Sequence, residues 1–80
     1  MSNIHNVSFN ERNRFIEISY KIEDDESDSI IFHEILEISR KYRLTCTVSQ
    51  YDNNLRFFHI SGIDLLDLQH AYELMADFLK

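Results

Sequence analysis

The residues most able to do chemistry lie in the acidic segment "EDDESD", residues 23–28. Acids run without a break from Glu23 to Glu26, and another follows at Asp28. Carboxylates bind calcium when they alternate around a loop that contains a sharp glycine turn. This segment has neither that spacing nor a glycine, so we predict no calcium site here. The pattern favours a solvated acidic segment at the start of a helix, where carboxylates interact well with the positive end of the helix dipole.

Histidine and cysteine give weaker chemical signals. His33 and Glu37 are one helical turn apart and could together hold a metal, but the zinc-protease pattern needs a second histidine where Glu37 stands. Cys46 alternates with apolar neighbours, which is typical of a buried, inert thiol. A chain with one glycine cannot form the glycine-rich loops that bind phosphates. We therefore predict no catalytic residue, no metal and no cofactor, and a protein that is not an enzyme.

Composition limits the classes of partner. The formal net charge of -6 argues against direct nucleic-acid binding, which depends on clustered Lys and Arg. No apolar run approaches the length of a membrane span, and the N-terminal "MSNIHN" lacks the character of a signal peptide. The one cysteine cannot form an internal disulfide. We expect a cytoplasmic protein of phage or bacterial type, with no membrane contact.

The spacing of apolar residues changes along the chain, and each change marks a boundary between a strand and a helix. Alternation with period two predicts strands, and apolar residues at i, i+4 and i+7 predict helices. Asp28 or Ser29 is the expected N-cap of the first helix and Asp64 that of the second. The expected strands are residues 14–22, 44–51 and 55–61, and the expected helices are residues 28–43 and 64–79. Residues 1–10 form either an edge strand or a flexible arm.

These elements give the order (β)βαββα in a single globular domain, residues 1–80. Such an order predicts an α+β fold, a two-layer sandwich with two helices packed on one face of a mainly antiparallel sheet. The βαββα part resembles a ferredoxin-like half that lacks its last strand. The resemblance is one of topology and implies no activity.

Some residues fall outside the expected core and are candidates for partner binding. Leu66 and Leu74 lie one turn either side of His70, on an arc of the second helix that also carries acids. Exposed leucines framed by acids are typical of a contact surface. Aromatic residues also fall on the open face of the sheet. The predicted partner-binding residues are Leu66, Asp67, His70, Glu73, Leu74, Asp77, Tyr51 and Phe57.

Two functions remain open at this point. The first is a small acidic non-enzymatic interaction protein that binds and blocks a macromolecular partner, as an inhibitor, an immunity protein or a phage-encoded antagonist would. Its partner would be a protein with a basic surface, and its acids could imitate nucleic-acid phosphates. The second is a homodimeric structural or regulatory module that senses a ligand. Sequence does not separate them, because both predict exposed apolar surface on an acidic domain.

Overall fold

A computed structural model of the chain describes residues 4–52 and 54–79. It confirms the two-layer α+β fold, with the order ββαββα. The elements are β1 (Ile4–Asn10), β2 (Phe15–Lys21), α1 (Asp25–Lys41), β3 (Thr45–Tyr51), β4 (Leu55–Ser61) and α2 (Leu65–Phe78). Neither α1 nor α2 combines the length and the apolar character that a membrane crossing requires.

The strands form one antiparallel sheet in the order β1-β2-β4-β3. β4 lies between β2 and β3, so α1 connects two strands that run parallel to each other. β1 pairs antiparallel with β2 at one edge of the sheet. The N-terminal segment thus adds a fourth strand to the three strands of the βαββα order. Residues 4–10 are a strand rather than an arm, while residues 1–3 lie outside the described part of the chain.

The period-two alternation places the core between the sheet and the helices. Ile16, Ile18 and Tyr20 of β2 are buried, whereas the residues between them lie on the open face. β4 contributes Phe58 and Ile60 in the same way. The helices and the C-cap of α2 contribute Ile35, Ile38, Leu68, Ala71, Met75 and Leu79 to the core.

The first helix begins three residues before the predicted residue 28. Its N-cap is Asp24, not Asp28 or Ser29, and the Asp24 carboxylate accepts a hydrogen bond from the amide of Ser27 at 2.7 Å. Asp28 lies within the first turn instead. The expected N-cap of α2 is confirmed, since Asp64 accepts hydrogen bonds from the amides of Leu66 and Asp67 at 2.9 and 3.3 Å.

β3 is bracketed by two residues with left-handed backbone. Arg43, which follows the C-cap Tyr42 of α1, has φ 58°, and Asp52, directly after β3, has φ 53°. Arg43 closes the helix, with its amide donating to the Arg40 carbonyl and the Leu44 amide donating to the Ser39 carbonyl at 2.8 Å. Glycine or asparagine is the usual residue at such a position, so arginine is an unfavourable choice for this helix end.

Candidate functional site

The second helix presents a line of exposed apolar side chains. Leu66 is 60% exposed, Leu74 41% and Phe78 40%. His70 is also exposed and lies between the two leucines. These residues are four positions apart, so they form one row along the helix, which we call the α2 strip (Leu66, His70, Leu74 and Phe78). The exposure predicted for Leu66 and Leu74 is confirmed, and Phe78 extends the row beyond the predicted set.

Of the three acids beside the α2 strip, only Asp67 lies in the first turn of the helix, where the dipole favours a carboxylate. In α1 the acids lie in the first turn and Arg40 and Lys41 lie in the last, as the helix dipole favours. α2 contains Asp67, Glu73 and Asp77 but no Lys or Arg, and its last turn has no basic residue. Asp77 therefore lies in the last turn, at the negative end of the dipole, where a carboxylate is unfavourable. Glu73 lies in the middle of the helix, where the dipole has little effect.

A groove between the two helices extends the α2 strip. It has an open volume of about 670 Å³. Ile38 of α1 and Leu74 and Phe78 of α2 supply its apolar side chains. Charged residues of both signs form the remainder of its lining, namely Glu34, Glu37, Arg40, Lys41 and Asp77. The strip and the groove thus form one continuous helical surface with an apolar centre and a charged rim.

The open face of the sheet is a second, separate surface. The rings of Tyr51 and Phe57 lie 6.1 Å apart, and Tyr51 is 51% exposed. The ring of Phe15 lies 4.8 Å from that of His59, whose Nδ1 is 3.6 Å from Glu17 Oε2. Among the strand residues that the structure describes, Glu17 is the only Asp or Glu and Lys21 the only Lys or Arg on this face. The open face is therefore nearly neutral although the chain is strongly acidic.

The predicted partner-binding residues consequently divide into two groups. Leu66, Asp67, His70, Glu73, Leu74 and Asp77 lie on α2, in the helical layer. Tyr51 and Phe57 lie on the open side of the sheet, with the core between the two groups. The structure does not bring them into one site.

A polar cluster that the sequence pattern did not indicate joins α1 to the sheet. The guanidinium of Arg56 donates two hydrogen bonds to the Asp28 carboxylate, and the Tyr20 hydroxyl donates a third at 2.6 Å. The guanidinium also lies over the Phe32 ring, 5.2 Å from its centroid. Arg56 holds the pKa of Asp28 below its ordinary value, while burial and the neighbouring Asp28 raise the pKa of Tyr20.

This cluster is suited to structure rather than to catalysis. The side chains of Arg56 and Asp28 are 17% and 13% exposed, and both carboxylate oxygens accept hydrogen bonds within the cluster. A general acid or base needs access to a substrate proton, which these contacts obstruct. We assign the cluster to holding the first turn of α1 on β2 and β4.

Metal and thiol chemistry gain no support from the geometry. Within residues 4–52 and 54–79, His, Cys, Asp and Glu side chains do not gather in groups of three or more that could hold a metal ion. His33 and Glu37 are exposed on α1. Cys46 is half-buried, and burial raises the pKa of its thiol, which disfavours the reactive thiolate.

Comparison of the chain with protein-family models, curated proteins and solved structures finds no match. No relative therefore indicates a function for this chain, and we infer one from its own surfaces.

Proposed function

We propose that this protein is a small acidic binding protein whose α2 strip docks on a basic surface of a protein partner and blocks it. The observation that supports this function is the row of Leu66, Leu74 and Phe78, exposed on a helix with acids and no basic residue. Single exposed leucines are common on monomers, but a row of exposed apolar side chains along one helix is typical of a contact surface.

The two kinds of residue on this surface have different roles in binding. The row from Leu66 to Phe78 is about 18 Å long, at 1.5 Å of rise per residue, which suits the desolvated centre of an interface. Asp67, Glu73 and Asp77 form the rim, where charges speed the encounter with a basic partner more than they hold the complex. An inhibitor, an immunity protein or a phage-encoded antagonist would act in this way.

In a more specific version of this function, the protein imitates nucleic acid on the basic surface of its partner. It would depend mainly on the α2 acids, because four of the five acids in the 23–28 segment contribute to the start of α1. Asp24 caps α1, Asp28 pairs with Arg56, and Asp25 and Glu26 lie at the positive end of the α1 dipole. A partner that normally binds nucleic acid would thus meet Asp67, Glu73 and Asp77.

The α1 helix supplies a matched control for the test. Ile30 is 59% exposed on α1, almost equal to the 60% exposure of Leu66, and lies outside the α2 strip. Immobilised wild-type protein, Leu66→Ser and Ile30→Ser should each be incubated with lysate, and captured proteins identified by mass spectrometry. We expect a protein with a basic surface to bind the wild type and Ile30→Ser and to be lost from Leu66→Ser. Capture that is equal for all the baits, or that is lost only from Ile30→Ser, contradicts the proposal.

A further inference from the structure

A hollow between α1 and the edge strand β3 combines aliphatic side chains with two arginines. Its volume is about 510 Å³, and small-molecule sites have volumes of roughly 300 to 1,000 Å³. Leu36, Leu44 and Cys46 supply its apolar lining, and all three are half-buried. Arg40 and Arg43 also line it, and both are exposed. The hollow thus has an aliphatic interior and a cationic rim.

The charge of this hollow is opposite to that of the chain. The sequence has 14 Asp and Glu against 8 Lys and Arg. Among residues 4–52 and 54–79, however, no Asp or Glu lines the hollow. Arg40 is already paired, because its Nη1 lies 3.0 Å from Glu37 Oε2. This leaves Arg43 as the uncompensated cation of the hollow.

Arg43 stands at a helix end where glycine is usual. It follows the C-cap Tyr42, and the Leu44 amide donates to the Ser39 carbonyl, which is the hydrogen-bond pattern of a helix that ends on a left-handed residue. The φ of 58° makes arginine unfavourable there. Unfavourable residues of this kind are concentrated at ligand sites. The helix dipole does not require a third cation, because Arg40 and Lys41 already lie in the last turn.

A second arginine with left-handed backbone shows what a structural role looks like. Arg14 has φ 60°, and its Nη1 donates to the Ile63 carbonyl at 3.1 Å. No such contact joins the Arg43 guanidinium to the part of the chain that the structure describes, whether as a hydrogen bond or as an ion pair. Arg43 is therefore available to a ligand.

Arg43 also lines a smaller hollow, which is unsuited to an anion. That hollow has a volume of about 240 Å³, and Asp64 and Asp67 are part of its lining. Both carboxylates would repel an anionic ligand there. An anion that pairs with Arg43 would therefore lie on the aliphatic side.

We propose that the hollow between α1 and β3 binds an aliphatic monocarboxylate, such as a medium-chain fatty acid. Arg43 holds the carboxylate, and Leu36, Leu44 and Cys46 cover the chain. A guanidinium matches a carboxylate with two parallel hydrogen bonds. One uncompensated arginine suits this single charge better than the roughly two charges of a phosphate monoester. Within the described residues the hollow shares only Arg40 with the groove beside the α2 strip, so the two sites are separate.

Octanoate is the probe for this site. Titration of isotope-labelled protein, followed by two-dimensional NMR, should show saturable shifts of the Leu36, Leu44 and Cys46 amide signals at millimolar octanoate. Acetate has the same head group without the chain, and inorganic phosphate is a different anion, so both should bind far more weakly. If octanoate leaves these signals in place, or if acetate or phosphate shifts them equally, the proposal is overturned.

Arg43→Gly separates binding from folding. Glycine suits the left-handed backbone, so thermal melting should show a fold at least as stable as that of the wild type. The octanoate dissociation constant should nevertheless rise about tenfold or more, because a charged, hydrogen-bonded contact is lost. Arg12→Gly removes the same charge from an exposed turn outside the hollow and should bind octanoate as the wild type does. Wild-type affinity in Arg43→Gly, or an equal loss in the two variants, contradicts the proposal.

Discussion

The Asp28 carboxylate in α1 accepts two hydrogen bonds from the guanidinium of Arg56 in β4, Nε to Oδ1 at 3.2 Å and Nη2 to Oδ2 at 2.5 Å. Tyr20 of β2 donates to the same Oδ1. A bidentate contact of this kind fixes both groups in one orientation. It therefore sets where the first turn of α1 lies on the sheet, and with it the direction in which the helix crosses.

Replacing Asp28 by asparagine should destabilise the fold by about 2 to 4 kcal/mol at neutral pH, because Arg56 is left partly buried without its counter-ion. The folded-state pKa of Asp28 lies below its ordinary 3.8, so the ionised pair stabilises the protein above that value. This stabilisation is lost as pH falls through the folded pKa. Urea unfolding at pH 7 and pH 3 should show a difference between wild type and variant that shrinks in acid.

Asp25→Asn is the control for this experiment, since Asp25 is exposed in the same turn of α1. It should change the unfolding free energy far less than Asp28→Asn does. An Asp28→Asn penalty that is equal at the two pH values would contradict the assigned pairing.

Tyr20 should make the protein sensitive to alkali. Its folded-state pKa is raised above 10.0, first by burial and then by Asp28. A raised pKa gives stability that is complete below pH 10 and is lost as pH rises further, because the unfolded chain releases the proton first. Tyr20→Phe should cost about 1 to 2 kcal/mol at neutral pH and remove part of the alkaline loss. Melting curves between pH 7 and 11 measure both, with Tyr51→Phe, whose ring is exposed, as the control.

The cluster also shows what local pattern does and does not predict. Alternation and helical spacing predicted the described strands of residues 14–61 and both helices, with ends that differ by up to three residues. The start of α1 was wrong because both Asp24 and Asp28 suit an N-cap, and the choice depends on Asp28 reaching Arg56, 28 residues away. No local pattern carries that information.

For the candidate site too, sequence predicted the features that depend on one element and missed those that depend on several. Helical spacing predicted the exposure of Leu66 and Leu74, which depends on one element alone. The groove depends on how α1 lies against α2, so sequence did not indicate it. The N-terminal segment was left open between an edge strand and an arm, because its local pattern alone does not decide whether it pairs with β2.

Glycine at position 62 is favoured by a close approach of Leu44 rather than by its backbone angles. A Cβ at this position would lie 2.5 Å from Leu44 Cδ2 and 3.4 Å from Leu68 Cγ. Gly62→Ala should destabilise the fold by no more than about 1 kcal/mol, because Leu44 Cδ2 is the end of a flexible, half-buried side chain that can turn away. In a Leu44→Ala background the same change should cost much less, since the obstructing methyl is gone. Urea unfolding of the wild type, Gly62→Ala, Leu44→Ala and the double variant measures the coupling between the two positions. If Gly62→Ala lowers the unfolding free energy equally with and without Leu44, the contact is refuted.

The acids of α2 should act on the rate of association. Changing Asp67, Glu73 and Asp77 to their amides should slow binding to a basic partner and flatten its dependence on salt, because rim charges steer the encounter. Fold stability should change little, since Asp67 lies at the favourable end of the helix dipole and Asp77 at the unfavourable end. Surface plasmon resonance at several salt concentrations measures the rates. The control with the same loss of charge is Glu11, Glu23 and Glu26 changed to glutamine, which should bind as the wild type does.

The leucines of the α2 strip should act instead on the rate of dissociation. Replacing Leu66 or Leu74 by serine removes an apolar anchor that a partner would desolvate, at a cost of about 1 to 3 kcal/mol of binding free energy for each. Because the anchors contact the partner only once the complex has formed, the loss should appear as faster dissociation with unchanged association. Ile30→Ser should leave both rates unchanged. If neither the acid nor the leucine variants alter the kinetics, α2 is not the contact surface, and the aromatic pair of Tyr51 and Phe57 on the open sheet face becomes the surface to mutate next.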